Sequence, residues 1–128
     1  MKNVNPVCWF EIYVDNLQRA KKFYEQVFDL EMQDLPFPAS TEMQMLAFPM
    51  NMESKNTASG ALVKMDGMKA GGNSTIVYFE REDCSIEESR VVSAGGKILT
   101  SKESLGEYGF MVLISDTEGN TVGIHSLK

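Results

Sequence analysis

The apolar residues of this chain follow two spacings, one typical of strands and one typical of helices, and the same order of spacings occurs twice. Residues 7–14 are rich in β-branched and aromatic side chains, which predicts a strand. Two good N-cap residues, Asp15 and Asn16, come next, and apolar side chains then recur at helical spacing up to Phe28. Further strands are predicted over residues 30–35, 42–48 and 59–65. The first half therefore has the pattern βαβββ.

The second half repeats this pattern after a glycine-rich connector. It predicts a strand over residues 75–80, an N-cap at Asp83, a helix over residues 85–94 that Gly95-Gly96 ends, and strands over residues 97–102, 108–115 and 121–126. A shift of 67 residues places Asp83 on Asn16 and Ile76 on Trp9, which indicates an internal duplication. We expect one domain over residues 1–128, with modules over about 5–66 and 74–128 and a linker over about 67–73.

Composition narrows the classes of partner. The net charge is −6 and the 12 Lys and Arg residues are scattered, so we expect neither nucleic acid nor an anionic membrane surface as a partner. No apolar run approaches the ~20 residues of a membrane span, and no signal peptide precedes the first strand, so a cytoplasmic protein is expected. Cys8 and Cys84 form no CxxC pair, and we expect both to be small buried thiols.

Several quoted features together resemble the vicinal oxygen chelate superfamily, which includes glyoxalase I, the bleomycin-resistance proteins and extradiol dioxygenases. They are the Leu-x-x-Ala-x-x-Phe-Tyr pattern that begins at Leu17, the helix after Asp83 that leads to Gly95-Gly96-Lys97, and the closing turn DTEGN at residues 116–120. The resemblance implies an α+β fold in which two tandem βαβββ modules form a curled, eight-stranded mixed sheet around a cleft. The opening Trp-Phe-Glu-Ile at residues 9–12 resembles a glyoxalase-like branch.

The resemblance also tells where a metal ion would bind. In metal-dependent members, the first and last strand of each module supply one His or Glu each. The matching positions here are Trp9, Ile76, Gly123 and, within a residue or two, Ala61. None of these side chains can coordinate an ion. We therefore expect no family-type metal and no other cofactor, and metal-dependent glyoxalase I or dioxygenase activity is not expected.

Residues two apart on a strand share a face, so Glu11 joins Trp9, Tyr78 joins Ile76 and His125 joins Gly123. Trp9, Glu11, Tyr78 and His125 are thus the candidate ligand-binding residues of an otherwise apolar cleft. Each also has a structural interpretation. Trp9 and Tyr78 could be packing residues, Glu11 could pair with an arginine or a backbone N–H, and His125 could be a half-exposed edge residue.

Three functional hypotheses remain open. The first is a protein that binds a small, apolar or planar organic molecule without a metal ion. The second is a lyase or isomerase that acts on a small carbonyl compound, with Glu11 and His125 as the catalytic base and acid. The third is a subunit whose many methionines mediate association, and homodimers are common in the family that the chain resembles. No GxSxG, P-loop or HExxH motif offers another chemistry.

Overall fold

The computed structural model of the protein describes residues 5–35, 43–51 and 58–128. The first half contains β1 (Trp9–Tyr13), α1 (Leu17–Phe28), β2 (Gln33–Asp34), β3 (Met43–Ala47) and β4 (Ser59–Met65). The second half contains β5 (Tyr78–Glu80), α2 (Cys84–Val91), β6 (Lys97–Ser104), one turn of 3-10 helix (Gly106–Tyr108), β7 (Phe110–Ser115) and β8 (Thr121–Ser126).

Each half folds into its own four-stranded mixed sheet. The orders are β1-β4-β3-β2 and β5-β8-β7-β6, with β1 parallel to β4, β5 parallel to β8 and antiparallel pairing elsewhere. The predicted α+β class with two tandem βαβββ modules is therefore confirmed. Within the described residues, no strand pairing joins β1 to β5, so the eight strands form two sheets and not a closed barrel.

The fifth predicted strand, residues 75–80, is shorter in the structure, and a side chain explains why. Asn73 accepts a hydrogen bond from the N–H of Thr121 at 3.1 Å and donates one to its carbonyl oxygen at 3.2 Å. The amide side chain thereby takes the backbone groups at the start of β8 that a longer β5 would need. The ladder of β5 is limited to the pairing of Tyr78–Glu80 with residues 123–125.

The two helices begin where the sequence predicts. The Asn16 side chain accepts from the N–H of Arg19, and the Asp83 side chain accepts from the N–H of Ser85. After α1, Asp29 has a φ of 52°, the left-handed conformation for which the resembled family uses glycine. α2 ends at Val91, earlier than predicted. No helix in the described part of the chain is long and apolar enough to cross a membrane.

One hydrophobic core lies between the helices and the inner faces of both sheets. Rings from both halves meet in it, with centroids 4.6 Å apart for Phe28 and Phe79 and 5.3 Å apart for Phe48 and Phe79. Gly96 lies so close to α1 that a Cβ there would be 2.5 Å from the Phe23 ring. The two modules are therefore packed as one body.

The turn between β7 and β8, residues 116–120, attaches the second half to the start of α1. The Glu118 carboxylate is fully buried and accepts from the N–H groups of Asp15 at 3.0 Å and Asn16 at 2.8 Å. It also accepts from the guanidinium of Arg19 at 2.6 Å and 2.9 Å. Burial acts to raise the pKa of Glu118, but hydrogen bonds from Arg19 and Asn16 outweigh it and lower the pKa.

A second contact of this turn is fully buried. The hydroxyl of Tyr24 on α1 donates to the Asp116 carboxylate at 2.7 Å. Burial raises the pKa of Asp116 and raises the pKa of Tyr24 well above 10.0. Residues 116–120, which the sequence predicts only as a turn, thus connect the two modules.

The two cysteines differ in burial. Cys84, at the start of α2, is buried, whereas Cys8 is exposed, so the expectation of a buried thiol is wrong for Cys8. The reason is its position, because β1 begins at Trp9 and Cys8 precedes the first paired residue of the sheet.

Candidate functional site

A cleft of about 850 Å³ lies where β1 approaches β5, and both halves of the chain contribute to its walls. Most of its lining is apolar or aromatic, including Trp9, Phe10, Phe48, Ile76, Tyr78 and Phe79. Glu80 and Arg81 are the charged side chains among the described residues that line it. Phe10, Phe48 and Phe79 also belong to the core, which fixes this part of the wall. The structure therefore places Trp9 and Tyr78, two of the predicted ligand-binding residues, in the same cleft.

The Tyr78 ring packs against a glycine on the neighbouring strand. Tyr78 lies opposite Gly123 in the parallel pairing of β5 with β8, and a Cβ at Gly123 would be 2.3 Å from the Tyr78 ring. The ring therefore covers the backbone of Gly123 directly. About half of the Tyr78 side chain remains exposed, at 48%, and can contact a bound molecule.

The positions of a family-type metal site do not suit an ion in this structure. Ala61 lies opposite Glu11 as Gly123 lies opposite Tyr78, which makes Ala61 the counterpart of Gly123 in the first module. Ala61 offers no donor atom, and the Tyr78 ring fills the space beside Gly123. Among the described residues, no group of three or more His, Cys, Asp or Glu side chains is arranged to hold a metal ion.

Glu11 faces a different, smaller cavity. Its carboxylate accepts from the Tyr13 hydroxyl at 2.8 Å and from the Trp9 indole N–H at 3.3 Å. The first of these hydrogen bonds raises the pKa of Tyr13. The cavity has a volume of about 240 Å³ and is also lined by Lys69 and Asn120. The partners of Glu11 are thus aromatic side chains, and not the arginine or backbone N–H considered from the sequence.

His125 lies between two hydrogen-bond partners and lines neither of the two cavities, although its partner Glu80 lines the cleft. Its Nδ1 lies 2.6 Å from the Glu80 carboxylate and its Nε2 lies 2.7 Å from the carbonyl oxygen of Tyr108. These contacts, the carbonyl first and the carboxylate second, raise the pKa of His125 above 6.5. Among the described residues, Glu11 and His125 share neither a hydrogen bond nor one of the two cavities.

Arg81 is a cleft residue that the sequence analysis missed. Its Nε donates to Glu87 at 2.8 Å and its Nη2 donates to the carbonyl oxygen of Phe28 at 3.0 Å. Glu87 is buried on α2 although it carries a charge. The sequence does indicate that Glu87 is buried, because it shares with Cys84 and Val91 the spacing of the buried side of α2. A glutamate at an apolar position indicates a cationic partner nearby.

A family model described as the Glyoxalase/Bleomycin resistance protein/Dioxygenase superfamily matches residues 7–124. None of the curated proteins compared with the sequence matches it.

Solved structures show the same fold. A glyoxalase I variant from Zea mays is 22% identical with a TM-score of 0.74, and the alignment covers 94% of this chain but only 46% of the maize chain. TnmS3, an antibiotic-binding protein from Streptomyces sp. CB03234, is 19% identical with a TM-score of 0.70 and 98% of both chains covered. A glyoxylase/bleomycin resistance protein/dioxygenase domain from a Frankia species is 15% identical, with a TM-score of 0.70 and coverage of 98% and 100%.

Proposed function

This chain belongs to the glyoxalase/bleomycin resistance protein/dioxygenase superfamily, and from that premise we propose that it binds a small, largely apolar organic molecule in the cleft between β1 and β5 without a family-type metal ion. The observation that carries the proposal is the cleft itself. Its volume of about 850 Å³ lies within the range of roughly 300–1,000 Å³ that is common for small-molecule sites. Its lining of aromatic side chains suits a planar or aliphatic ligand.

One structural neighbour gives independent support for binding as the function. TnmS3 is named an antibiotic-binding protein, and it matches this chain over 98% of both lengths. The likeness is one of fold, since the identity is 19%. It supports the proposal by showing that a chain of this architecture can serve in binding.

The cleft provides its own reporter, because Trp9 is the single tryptophan of the chain and lines the cleft. We expect apolar, planar compounds to change the Trp9 fluorescence saturably and to raise the melting temperature by mass action. Tyr78→Ala should weaken binding about tenfold, since it removes one aromatic wall. Tyr108→Ala is the matched control, because Tyr108 is a 70% exposed tyrosine outside the cleft. Equal affinities for the two variants would refute the proposal.

A separate experiment tests whether stability and ligand binding are independent of a metal ion. We expect that neither EDTA nor added Ni²⁺, Zn²⁺ or Mn²⁺ changes the melting temperature or the ligand affinity. The positions that would supply family-type ligands carry Trp9, Ala61, Ile76 and Gly123. Stabilisation by one of these ions that disappears in Glu11→Gln or His125→Asn would overturn this part and identify a site of another kind.

The alternative function is a lyase or isomerase that acts on a small carbonyl compound, and it stays a prediction. It requires Glu11 and His125 to reach one substrate. Each is instead held by its own partners, Glu11 by Trp9 and Tyr13 and His125 by Glu80 and Tyr108. Turnover of a carbonyl substrate that both Glu11→Gln and His125→Asn abolish would favour the alternative over simple binding.

A further inference from the structure

Resting on the proposed function, we propose that Arg81 selects the ligand of the cleft, and that the cleft favours molecules that combine an apolar ring system with an anionic oxygen group such as a sulfonate or carboxylate. Arg81 lines the cleft directly after β5, beside the aromatic wall. Its guanidinium is fixed in direction and keeps N–H groups that have no acceptor among the described residues.

The guanidinium is fixed by contacts with Glu87 and Phe28, neither of which lines the cleft. Nε donates to the Glu87 carboxylate and Nη2 to the carbonyl oxygen of Phe28. The guanidinium carbon also lies 6.0 Å from the centre of the Phe28 ring, within the range of a cation–π contact. The backbone is held as well, since the N–H of Arg81 donates to the carbonyl oxygen of His125 at 2.8 Å. A ligand therefore does not have to order this side chain when it binds.

The remaining donors of Arg81 have no acceptor among the residues that the structure describes. A guanidinium carries five N–H groups, and the contacts above use one on Nε and one on Nη2. In the part of the chain that the structure describes, Nη1 has no hydrogen-bond partner. The side chain is 34% exposed and lines the cleft, so an anionic oxygen can approach it there. Arginine offers such a group a charge-assisted hydrogen bond.

The other charged side chain of the cleft has a partner already. The Glu80 carboxylate is bound to His125 at 2.6 Å, an exposed pair. Arg81 is paired too, but the side chain of its partner Glu87 is only 5% exposed and does not line the cleft. An acceptor oxygen of a ligand can therefore be recognised by Arg81, whose donors have a fixed direction in a cleft that is mostly apolar or aromatic.

A pair of fluorescent probes tests this selection. Anilinonaphthalene sulfonate and phenylnaphthylamine share one ring system, and only the first carries an anionic oxygen group. We expect the wild-type protein to bind the sulfonate about tenfold more tightly than the neutral probe, the effect of one charge-assisted hydrogen bond. Binding is measured by probe fluorescence and by quenching of Trp9. Near-UV circular dichroism checks the fold, because the sulfonate probe also binds molten-globule states.

The variants are chosen so that the buried Glu87 carboxylate is not left without its cationic partner. Arg81→Gln by itself would strand the Glu87 carboxylate, so the informative comparison is Glu87→Gln against the double variant Arg81→Gln/Glu87→Gln. We expect the double variant to lose about tenfold in affinity for the sulfonate and less than about twofold for the neutral probe. Arg90→Gln is the matched control, because Arg90 donates to the carbonyl oxygen of Val27 on the same helix end but does not line the cleft.

The outcomes separate this inference from the proposed function. If both probes bind and Tyr78→Ala weakens both, but the loss of Arg81 changes neither, the selecting role of Arg81 is wrong and the binding function stands. If neither probe binds, the proposed function fails and the role of Arg81 fails with it. A loss for the sulfonate of the same size in Arg90→Gln would also overturn the role, since it would show a general effect of charge.

Discussion

At residue 123, the absence of a side chain determines the shape of the cleft wall. The Tyr78 ring occupies the place that a Cβ would need, 2.3 Å away. The ring and a coordinating carboxylate at residue 123 exclude each other on steric grounds. A family-type metal ligand at residue 123 would thus be incompatible with the aromatic wall that Tyr78 forms.

We predict that Gly123→Ala destabilises the protein by about 1–3 kcal/mol, because the added methyl group must displace the Tyr78 ring. The same displacement should weaken binding of an apolar ligand, measured through Trp9 fluorescence. Urea unfolding gives the stability, and the variant Gly123→Ala/Tyr78→Ala should recover most of the loss, since no ring remains to be displaced. Full additivity of the two single changes would contradict the contact.

His125 gives a second prediction, about pH. Protonated, its ring can donate from both nitrogens to Glu80 and Tyr108, whereas a neutral ring can donate from only one. Its pKa is raised in the folded protein, so this contribution is complete below pH 6.5 and is lost as the pH rises through the folded pKa. His125→Asn should therefore cost more stability at pH 5.5 than at pH 8.5, measured by thermal unfolding. A cost independent of pH would refute this assignment.

The alternation of side chains along strands predicts which face a residue occupies, and not what lies opposite that face. It places Glu11 with Trp9 and His125 with Gly123, but gives no information about the acceptors around each. Glu80 pairs with His125 because β5 runs beside β8 in a register that only folding defines. The acid/base pairing of Glu11 and His125 rests on the faces alone and stays a prediction.

At the scale of elements, the turn at residues 116–120 acts as an N-terminal cap for a helix far away in sequence. Glu118 satisfies two backbone N–H groups at the start of α1, from Asp15 and Asn16, while the Asn16 side chain satisfies a third. A helix start needs such acceptors, because its first N–H groups have no partner within the helix.

We predict that Glu118→Ala costs about 2–4 kcal/mol of unfolding free energy, since two backbone N–H groups at the start of α1 and the Arg19 guanidinium lose their buried acceptor. Arg19→Ala should cost less, about 1 kcal/mol, because the Arg19 side chain is 52% exposed and the carboxylate keeps its backbone donors. Urea unfolding at pH 7 measures both. A larger loss for Arg19→Ala than for Glu118→Ala would show that the ion pair, and not the capping, dominates.

The pKa of Glu118 predicts how the stability difference between the wild type and Glu118→Ala depends on pH. Because the pKa of Glu118 is lowered in the folded protein, the stabilising contribution of its carboxylate is present above pH 4.5. It is lost as the pH falls through the pKa of the folded protein. The stability difference between the wild type and Glu118→Ala should shrink on acidification.

The elements themselves were predictable where the pattern is local. β4, β8 and the start of α1 lie where the sequence places them, since alternation and capping act over a few residues. β2 is reduced to Gln33–Asp34, because a strand lasts only as long as its partner pairs with it. The two backbone N–H groups that Glu118 binds lie more than 100 residues along the chain from it, so no local pattern could reveal these contacts.

On the scale of the whole molecule, the methionines differ in burial and packing. Met45 and Met111 are buried, Met43 and Met65 pack beside a small cluster that contains Ala61 and Val63 of the first sheet, and Met50 and Met68 are exposed. Met52 lies outside the described residues.

We predict that the protein is a homodimer, as proposed from the family, with twice the mass of the 14.3 kDa chain. Light scattering after size-exclusion chromatography measures this mass directly. A mass of one chain at micromolar and higher concentrations would contradict the prediction, and would place the whole cleft within a single copy.

The attachment of α1 at both of its ends shows how far the first half of the chain depends on the second. Its start is capped by Glu118, and the carbonyl oxygens at its end accept from Arg81 and Arg90, all from the other half. α2 is capped at its start by Asp83 and Ser126 of its own half. The first half on its own would therefore lose the partners at both ends of α1, whereas the second half on its own would keep the cap at the start of α2.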